Sequence, residues 1–345
     1  MPVLNWGIIG TGNIAKTFAI GLQVATKGRL VAVSSRSAHT AVEFGKSFNV
    51  TAEKCYDSYD NLLNDPDVDI VYIATPHPNH CEIAVAAAKA RKHMLLEKPM
   101  AMNEAEATRI FEAVRTNDVF FMEAYMYRCH PQTIKTAQLV REGAIGQVKL
   151  IRANFSFDGR PLGPTSRLWR NELGGGAILD IGGYPMSFSR LIAGVANQQD
   201  FANPVHVKAV GHIQPDTQID EWAVASLAFD NAISAQLFTG IFADSDSSVE
   251  VIGSKGSIKV RNLWRPDLTV LGPGLIELNE HGKETEIIPV LLGETNLYAI
   301  EADAVADAVL QGQKECKFMT WNDSLGQIRA MDQWRKEIGL VYPTD

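Results

Sequence analysis

The sequence is poor in the features that would place a chain on nucleic acid, in a membrane or in a disulfide scaffold. Of its 345 residues, 32 are Lys or Arg against 40 Asp or Glu, a formal charge of -8, and no local basic cluster offsets that balance. A surface of this sign repels phosphate backbones and anionic lipid, which argues against nonspecific nucleic-acid or membrane-surface binding. No apolar stretch approaches the roughly 18 residues of a membrane span, and no charged segment followed by an apolar one marks a secretory leader. The expected location is the cytoplasm. The four cysteines, Cys55, Cys81, Cys129 and Cys316, are scattered, with no C-x-x-C pair. None has a histidine at metal-ligand spacing, so reduced, structural cysteines and no metal are expected. Repeats, low-complexity segments and long linkers are also missing. What remains, 46% hydrophobic and 21% charged residues, is the composition of a globular chain of about two domains.

The most informative segment comes early. Val3-Leu4-Asn5-Trp6-Gly7-Ile8-Ile9 is an apolar run that breaks into Gly10-Thr11-Gly12-Asn13-Ile14-Ala15 and then into a helical pattern. In such a turn Gly10 permits the tight strand-to-helix bend, Gly12 lets the backbone approach a pyrophosphate, and Ala15 lets the helix pack close to the strand. The helix start adds free N–H groups and a positive dipole end, so Gly10, Gly12, Asn13 and Ile14 are expected cofactor contacts. A glycine-rich turn alone is a weak signal; the following amphipathic segment and the second strand-like run, Leu30 to Ser35, supply the βαβ context.

Through the first third, apolar runs near 3–9, 30–35, 69–74, 93–96 and 119–122 alternate with helical patterns near 13–26, 38–48, 78–91 and 103–116. This alternation predicts a doubly wound parallel sheet. Asn103 followed by Glu106 is a capping-box signature for the last of these helices. Ligands of open parallel sheets lie at the carboxyl ends of strands, so Thr75, Pro76 and His80, with Asn79, and Glu97-Lys98-Pro99 should rim the cofactor crevice. From about residue 147 the pattern becomes strand after strand: Gln147 to Phe157, Val205 to Ile213, Trp222 to Phe229, Ile233 to Gly240, Ser248 to Ile252, Ser257 to Val260 and Leu268 to Leu271. A helix near 175–193 interrupts them and two more, near 297–311 and 322–338, follow. The expected architecture is an α/β chain: a Rossmann domain over 1–122 and an α+β domain with a mostly antiparallel open sheet over 123–345.

Two places carry groups suited to chemistry. Lys98 lies at a strand end where it could donate to a substrate oxygen, although a plain surface lysine has the same pattern. After Gly174-Gly175-Gly176, Asp180 and Tyr184 stand four residues apart on a predicted helix, so a carboxylate and a phenol share one face. A buried hydrogen-bonded pair is the alternative. At the end of the second strand, Ser34-Ser35-Arg36-Ser37 offers no acid to ribose hydroxyls; Ser35 and the Arg36 guanidinium suit a 2′-phosphate, which favours NADP while leaving NAD open. Glu123, Tyr125 and Arg128 are candidate neighbours of the site or else parts of an aromatic-rich linker. His77, His80 and His130 lack metal-ligand spacing, and capping or structural roles are the default.

The glycine turn, Glu97-Lys98-Pro99 and the Gly-Gly-Gly-x-x-x-Asp-Ile-Gly segment together resemble the glucose-fructose oxidoreductase/inositol dehydrogenase (Gfo/Idh/MocA) family along essentially the whole chain. Tyr184, where inositol dehydrogenase-like members have histidine, resembles the branch of glucose-fructose oxidoreductase, dihydrodiol dehydrogenase and D-xylose dehydrogenase. The resemblance implies a Rossmann domain, a second domain whose open sheet often forms the oligomer interface, and hence a homodimer or homotetramer. It implies Lys98, Asp180 and Tyr184 as catalytic residues, with Trp169-Arg170 walling the nicotinamide. The implied reaction is hydride exchange between nicotinamide and a carbinol or carbonyl carbon of a small sugar or polyol, with Tyr184 as general acid/base. Relatives that act as non-catalytic sensors or as NAD-dependent glycosidases keep two other functions open.

Overall fold

Alternation of buried strands with amphipathic helices builds the first layer of the protein. In the computed structural model, which describes residues 3–266 and 274–345, β1 (Leu4–Ile9), β2 (Gly28–Ser34), β3 (Cys55–Tyr56), β4 (Ile70–Ile73), β5 (His93–Glu97) and β6 (Phe121–Ala124) form one parallel sheet. Its order is β3-β2-β1-β4-β5-β6. β4 and β6 are buried throughout, as expected for strands covered on both faces. The helices α1 (Asn13–Val24), α2 (Ala38–Ser47), α3 (Tyr59–Leu63), α4 (His80–Lys89) and α5 (Glu104–Asn117) connect them.

Each helix start has a local cause. The α1 helix turns Ala15, Phe18, Ala19 and Leu22 inward, a one-sided apolar stripe, and Phe18 stacks on Tyr72 at 3.8 Å between ring centroids. Ser37 accepts from the Thr40 N–H at the start of α2. Asn103 accepts from Glu106 N–H at 3.0 Å, the predicted cap of α5, while the Glu106 carboxylate reaches back to Met102 N–H.

The second sheet has eight strands: β7 (Val148–Ser156), β8 (His206–Ile213), β9 (Asp220–Phe229), β10 (Ile233–Gly240), β11 (Val249–Gly253), β12 (Gly256–Val260), β13 (Gly274–Glu280) and β14 (Glu286–Val290). They run in the order β14-β13-β12-β11-β7-β10-β9-β8. All neighbours are antiparallel except β10 with β7. Burial in β10 alternates residue by residue over most of its length, the period of a strand with one covered face. Helices α6 (Pro131–Arg141) and α7 (Gly183–Ala196) pack together, and α7 covers β7 and β10.

The predicted α/β architecture holds in type and order. Two helices, α3 and α6, and three strands, β3, β13 and β14, are additional; β3 has only two residues, too few for a periodic signal. The strand expected at Leu268 to Leu271 lies outside the described residues. The helix expected near 175–193 begins instead with a π-helical turn, Ile178–Gly182, that runs directly into α7.

Two further helices, α8 (Leu297–Leu310) and α9 (Trp321–Ile338), complete the elements. The chain divides into two compact units, 1–129 with 293–325 and 130–292 with 326–345. The units are therefore not sequential blocks: α8 belongs with the parallel sheet and packs on α1, and the division falls within α9. No helix among the described residues is long and apolar enough to cross a membrane.

In the first unit α8 carries a fully buried acid. Neither carboxyl oxygen of Glu301 has a hydrogen-bond partner among the described residues. Burial, reinforced by the nearby Glu97 charge, pushes its pKa well above the ordinary glutamate value of 4.5. The folded chain thus keeps a proton that the unfolded chain has released, and stability falls as pH rises above that ordinary value. Glu301→Gln removes the penalty. Urea unfolding should show the variant gaining on the parent as pH rises above about 5, by about 1.4 kcal/mol for each unit of raised pKa; parallel curves would refute a buried neutral acid.

Candidate functional site

In the first unit, the carboxyl ends of β1, β2, β4 and β5 bring together most of the residues singled out in the sequence. Gly10 follows β1 with φ of 104°, a left-handed value that strains any other residue. A Cβ there would lie 2.6 Å from the Ala74 carbonyl oxygen, whereas one at Gly12 would meet nothing within 4 Å. Gly12 caps α1 with extended backbone and without a side-chain hydrogen bond. The N–H groups of Asn13 and Ile14 thus open a helix whose first donors are not taken by a cap, beside a glycine that leaves space for a bulky anion. This donor set fits a dinucleotide pyrophosphate.

Thr11 Oγ1 donates to Ser35 Oγ at 3.3 Å, tying the glycine turn to the end of β2. Arg36, the next residue, is exposed. Thr75 follows β4, and its buried Oγ1 has no hydrogen-bond partner among the described residues. Pro76 leads into a 3-10 turn, His77–Asn79, at the start of α4.

His80 is fully buried, with Nδ1 2.8 Å from the Pro99 carbonyl oxygen and Nε2 2.8 Å from that of Thr75. Carbonyls only accept, so each ring nitrogen can bond its carbonyl only as an N–H donor. His80, expected as a cofactor contact, thus has both ring nitrogens against carbonyls of two loops of the rim. Glu97 ends β5; its carboxylate accepts from the Tyr72 hydroxyl and, at 3.1 Å, from the Lys98 N–H. Burial pushes the Tyr72 phenol well above its usual pKa, and the Glu97 charge adds to this, so it stays a donor. Lys98 is half-buried in the loop that Glu97 and His80 hold.

Residues in and just after β6 make contacts within the first unit. Glu123 accepts from Met100 N–H at 2.9 Å, and buried Arg128 pairs with buried Asp323 at 2.6 Å.

The second unit holds the other candidates. Asp180 sits in the π-helical turn and Tyr184 in the first turn of α7, both buried. Tyr184 lies among aromatic rings, 5.3 Å from Phe155 and 5.8 Å from Trp264 between centroids. Asp180 Oδ1 accepts from Arg167 Nη2 at 2.5 Å. The sequence reading passed over Arg167; a lone arginine in a loop has no spacing that singles it out. Of the pair it favoured, Trp169 is half-buried, with its ring 3.3 Å from where a Gly159 Cβ would lie. Arg170 is exposed and binds Glu172 at 2.5 Å, so its guanidinium is engaged within its own loop. His130 caps α6 through Nδ1, accepting from Gln132 N–H at 3.1 Å.

The glycine triplet explains how these side chains meet. A Cβ on Gly175 would lie 2.6 to 2.8 Å from the carbonyl oxygens of Leu168, Arg167 and Arg170, and one on Gly176 would lie 2.1 Å from Asp220 Oδ1. Gly175 N–H donates to Arg170 and Gly176 N–H to Leu168, while Tyr342 donates its hydroxyl proton to the Gly175 carbonyl at 2.5 Å. Asp220 accepts from Ile178 N–H at 2.7 Å at the start of the π-helical turn. Burial pushes its carboxyl up to about 7, against the opposing hydrogen bonds from backbone N–H groups.

Gly176 has φ of 100°. Gly176→Ala therefore combines left-handed strain with a clash on Asp220, and the unfolding free energy should fall by at least about 2 kcal/mol. Urea unfolding at fixed pH measures this; an unchanged midpoint would contradict the tight seam.

The comparisons with known proteins agree with this layout. A family model described as an oxidoreductase family with an NAD-binding Rossmann fold matches residues 4–125, and a Gfo/Idh/MocA C-terminal domain model matches 133–259. Trans-1,2-dihydrobenzene-1,2-diol dehydrogenase of Danio rerio is 33% identical, covering 99% of each chain, and that of Homo sapiens is 29% identical over the same shares. Among solved structures, a 3-ketoreductase from Actinomadura kijaniata in complex with NADP and TDP-benzene superposes with a TM-score of 0.84 at 26% identity, covering 97% of this chain and 98% of that one. An aldose-aldose oxidoreductase from Caulobacter crescentus gives a TM-score of 0.87 at 23% identity over 97% of both chains, a likeness of fold.

Proposed function

The chain belongs to the Gfo/Idh/MocA oxidoreductase family, and on that premise we propose that it is an NADP-dependent dehydrogenase or reductase of a sugar, polyol or related diol. The first unit binds the dinucleotide and the second binds substrate. The observation that carries this reading is that the Lys98 loop and the uncapped start of α1 stand at the same carboxyl edge of one parallel sheet, where such sheets hold ligands.

In this reading, the bound nicotinamide supplies the chemistry of hydride exchange at the carbinol carbon. Tyr184, buried beside the rings of Phe155 and Trp264, moves the proton of the reacting hydroxyl. Lys98, in the loop after β5, offers an ammonium to a substrate oxygen. Asp180 accepts a hydrogen bond from a second substrate hydroxyl and so orients the carbon. These roles need a phenol, an ammonium and a carboxylate, and each is present. Tyr184→Phe keeps the ring and removes the proton carrier; kcat should fall by about 10²- to 10⁴-fold, with NADPH binding retained in a fluorescence titration. Turnover like that of the parent chain would end the assignment.

The preference for NADP rests on Ser35 and Arg36 at the end of β2. An exposed guanidinium beside a hydroxyl, with no acid at that strand end, suits a 2′-phosphate rather than a free ribose hydroxyl. The 3-ketoreductase relative was crystallised with NADP. Loss of a charge-assisted bond predicts that Arg36→Ala raises KM for NADP by about tenfold or more while KM for NAD stays within about twofold. An unchanged ratio of the two constants would remove Arg36 from cofactor selection.

A further inference from the structure

Asp180 does not stand alone in the second unit, and its partner comes from a loop that the backbone holds tightly. Arg167 opens a 3-10 turn, Arg167–Trp169, whose Leu168 N–H is capped by Ser166 Oγ at 3.3 Å. Three carbonyls of that loop press on Gly175, and two of them accept hydrogen bonds from the glycine triplet. On the other side of Gly175, Tyr342 accounts for its carbonyl, and Asn171 Nδ2 donates to the Val341 carbonyl at 3.0 Å. The loop is therefore fixed by backbone contacts that do not involve the Arg167 side chain. From this fixed base the guanidinium reaches Asp180 Oδ1 at 2.5 Å, with the aspartate side chain 12% exposed and the arginine 36%.

Burial favours the neutral form of a carboxyl group, whereas an adjacent cation favours the charged one and orients it through a directed hydrogen bond. A carboxylate accepts and cannot donate. An ionised, oriented Asp180 is therefore suited to receive a substrate hydroxyl and unsuited to protonate one, which leaves proton movement to Tyr184. We propose that Arg167 is a positioning residue of the reaction: it holds Asp180 as a fixed carboxylate and thereby selects substrates that carry a second hydroxyl beside the reacting carbon. The proposal rests on the reading of Asp180 and Tyr184 given above. Arg170, three residues on, pairs with Glu172 and not with Asp180.

The test compares the parent chain with Arg167→Ala, Arg167→Lys, Asp180→Asn and the Arg167→Ala/Asp180→Asn double variant. The probe is whichever of D-glucose, D-xylose and trans-1,2-dihydrobenzene-1,2-diol the parent oxidises best with NADP. Arg167→Ala should lower kcat/KM by about 100-fold, as expected for truncating one partner of a close charge pair, with Arg167→Lys in between. Added guanidinium, at about 50 mM, should recover several-fold of the loss in Arg167→Ala and none in the double variant. The double variant should be no slower than Asp180→Asn alone, since a residue acting through another has no effect once that other is gone. Circular dichroism checks folding, and if Arg167→Ala is unfolded the lysine variant carries the comparison.

Several results would overturn the proposal: kcat/KM of Arg167→Ala within about threefold of the parent while Asp180→Asn is impaired, losses that multiply in the double variant, or no rescue by guanidinium. Parent-like activity in Asp180→Asn would instead remove the underlying role of Asp180, and oxidation of none of the three probes would overturn both readings.

Discussion

Close backbone approach at Gly175 and Gly176 is the constraint on which the second unit's site depends. Three loop carbonyls, the Asp220 carboxyl and the Tyr342 hydroxyl converge on a stretch of chain where a single methyl group would collide with backbone oxygen. Such a seam is possible only without side chains, and its energy comes from hydrogen bonds shielded from water, which cost heavily when broken. Its consequence is directional. It sets the loop that carries Arg167 and the turn that carries Asp180 on one rigid base, so their ion pair forms between preorganised groups rather than between two flexible side chains.

The first unit solves a different electrostatic problem. The start of α1 has N–H donors that no side chain caps, which leaves the helix without the stabilisation such a cap provides. Around it the rim loops are held by groups that do not face outward: His80 bridges two carbonyls and Glu97 is shared between Tyr72 and the Lys98 backbone. Deeper still, Glu301 is neutral because burial and the Glu97 charge both oppose its ionisation.

Much of this was legible in the residues themselves. The βαβ pattern followed from apolar runs of strand length separated by helical periodicity, and the glycine turn marked where the first helix would open. The cap at Asn103 was readable because capping is local. Asp180 and Tyr184 stood out as a carboxylate and a phenol at helical spacing after a glycine triplet. Arg167 did not, because its importance lies in a contact across thirteen residues through a folded loop. The contacts of His80 and Arg170 were not legible for a related reason: position beside a crevice says nothing about which partner takes a side chain's hydrogen bonds.

The sequence by itself determined most of the element types, their order and the candidate groups Lys98, Asp180 and Tyr184, since periodicity, capping and steric freedom act within a few residues along the chain. Tertiary structure alone decided which groups pair. It returned Gly293–Leu325 to the first unit, buried Glu301 within it, set Asp220 against Gly176 and joined Arg167 to Asp180. Those outcomes depend on desolvation and on distances between segments far apart in the chain, and neither quantity exists until the chain has folded.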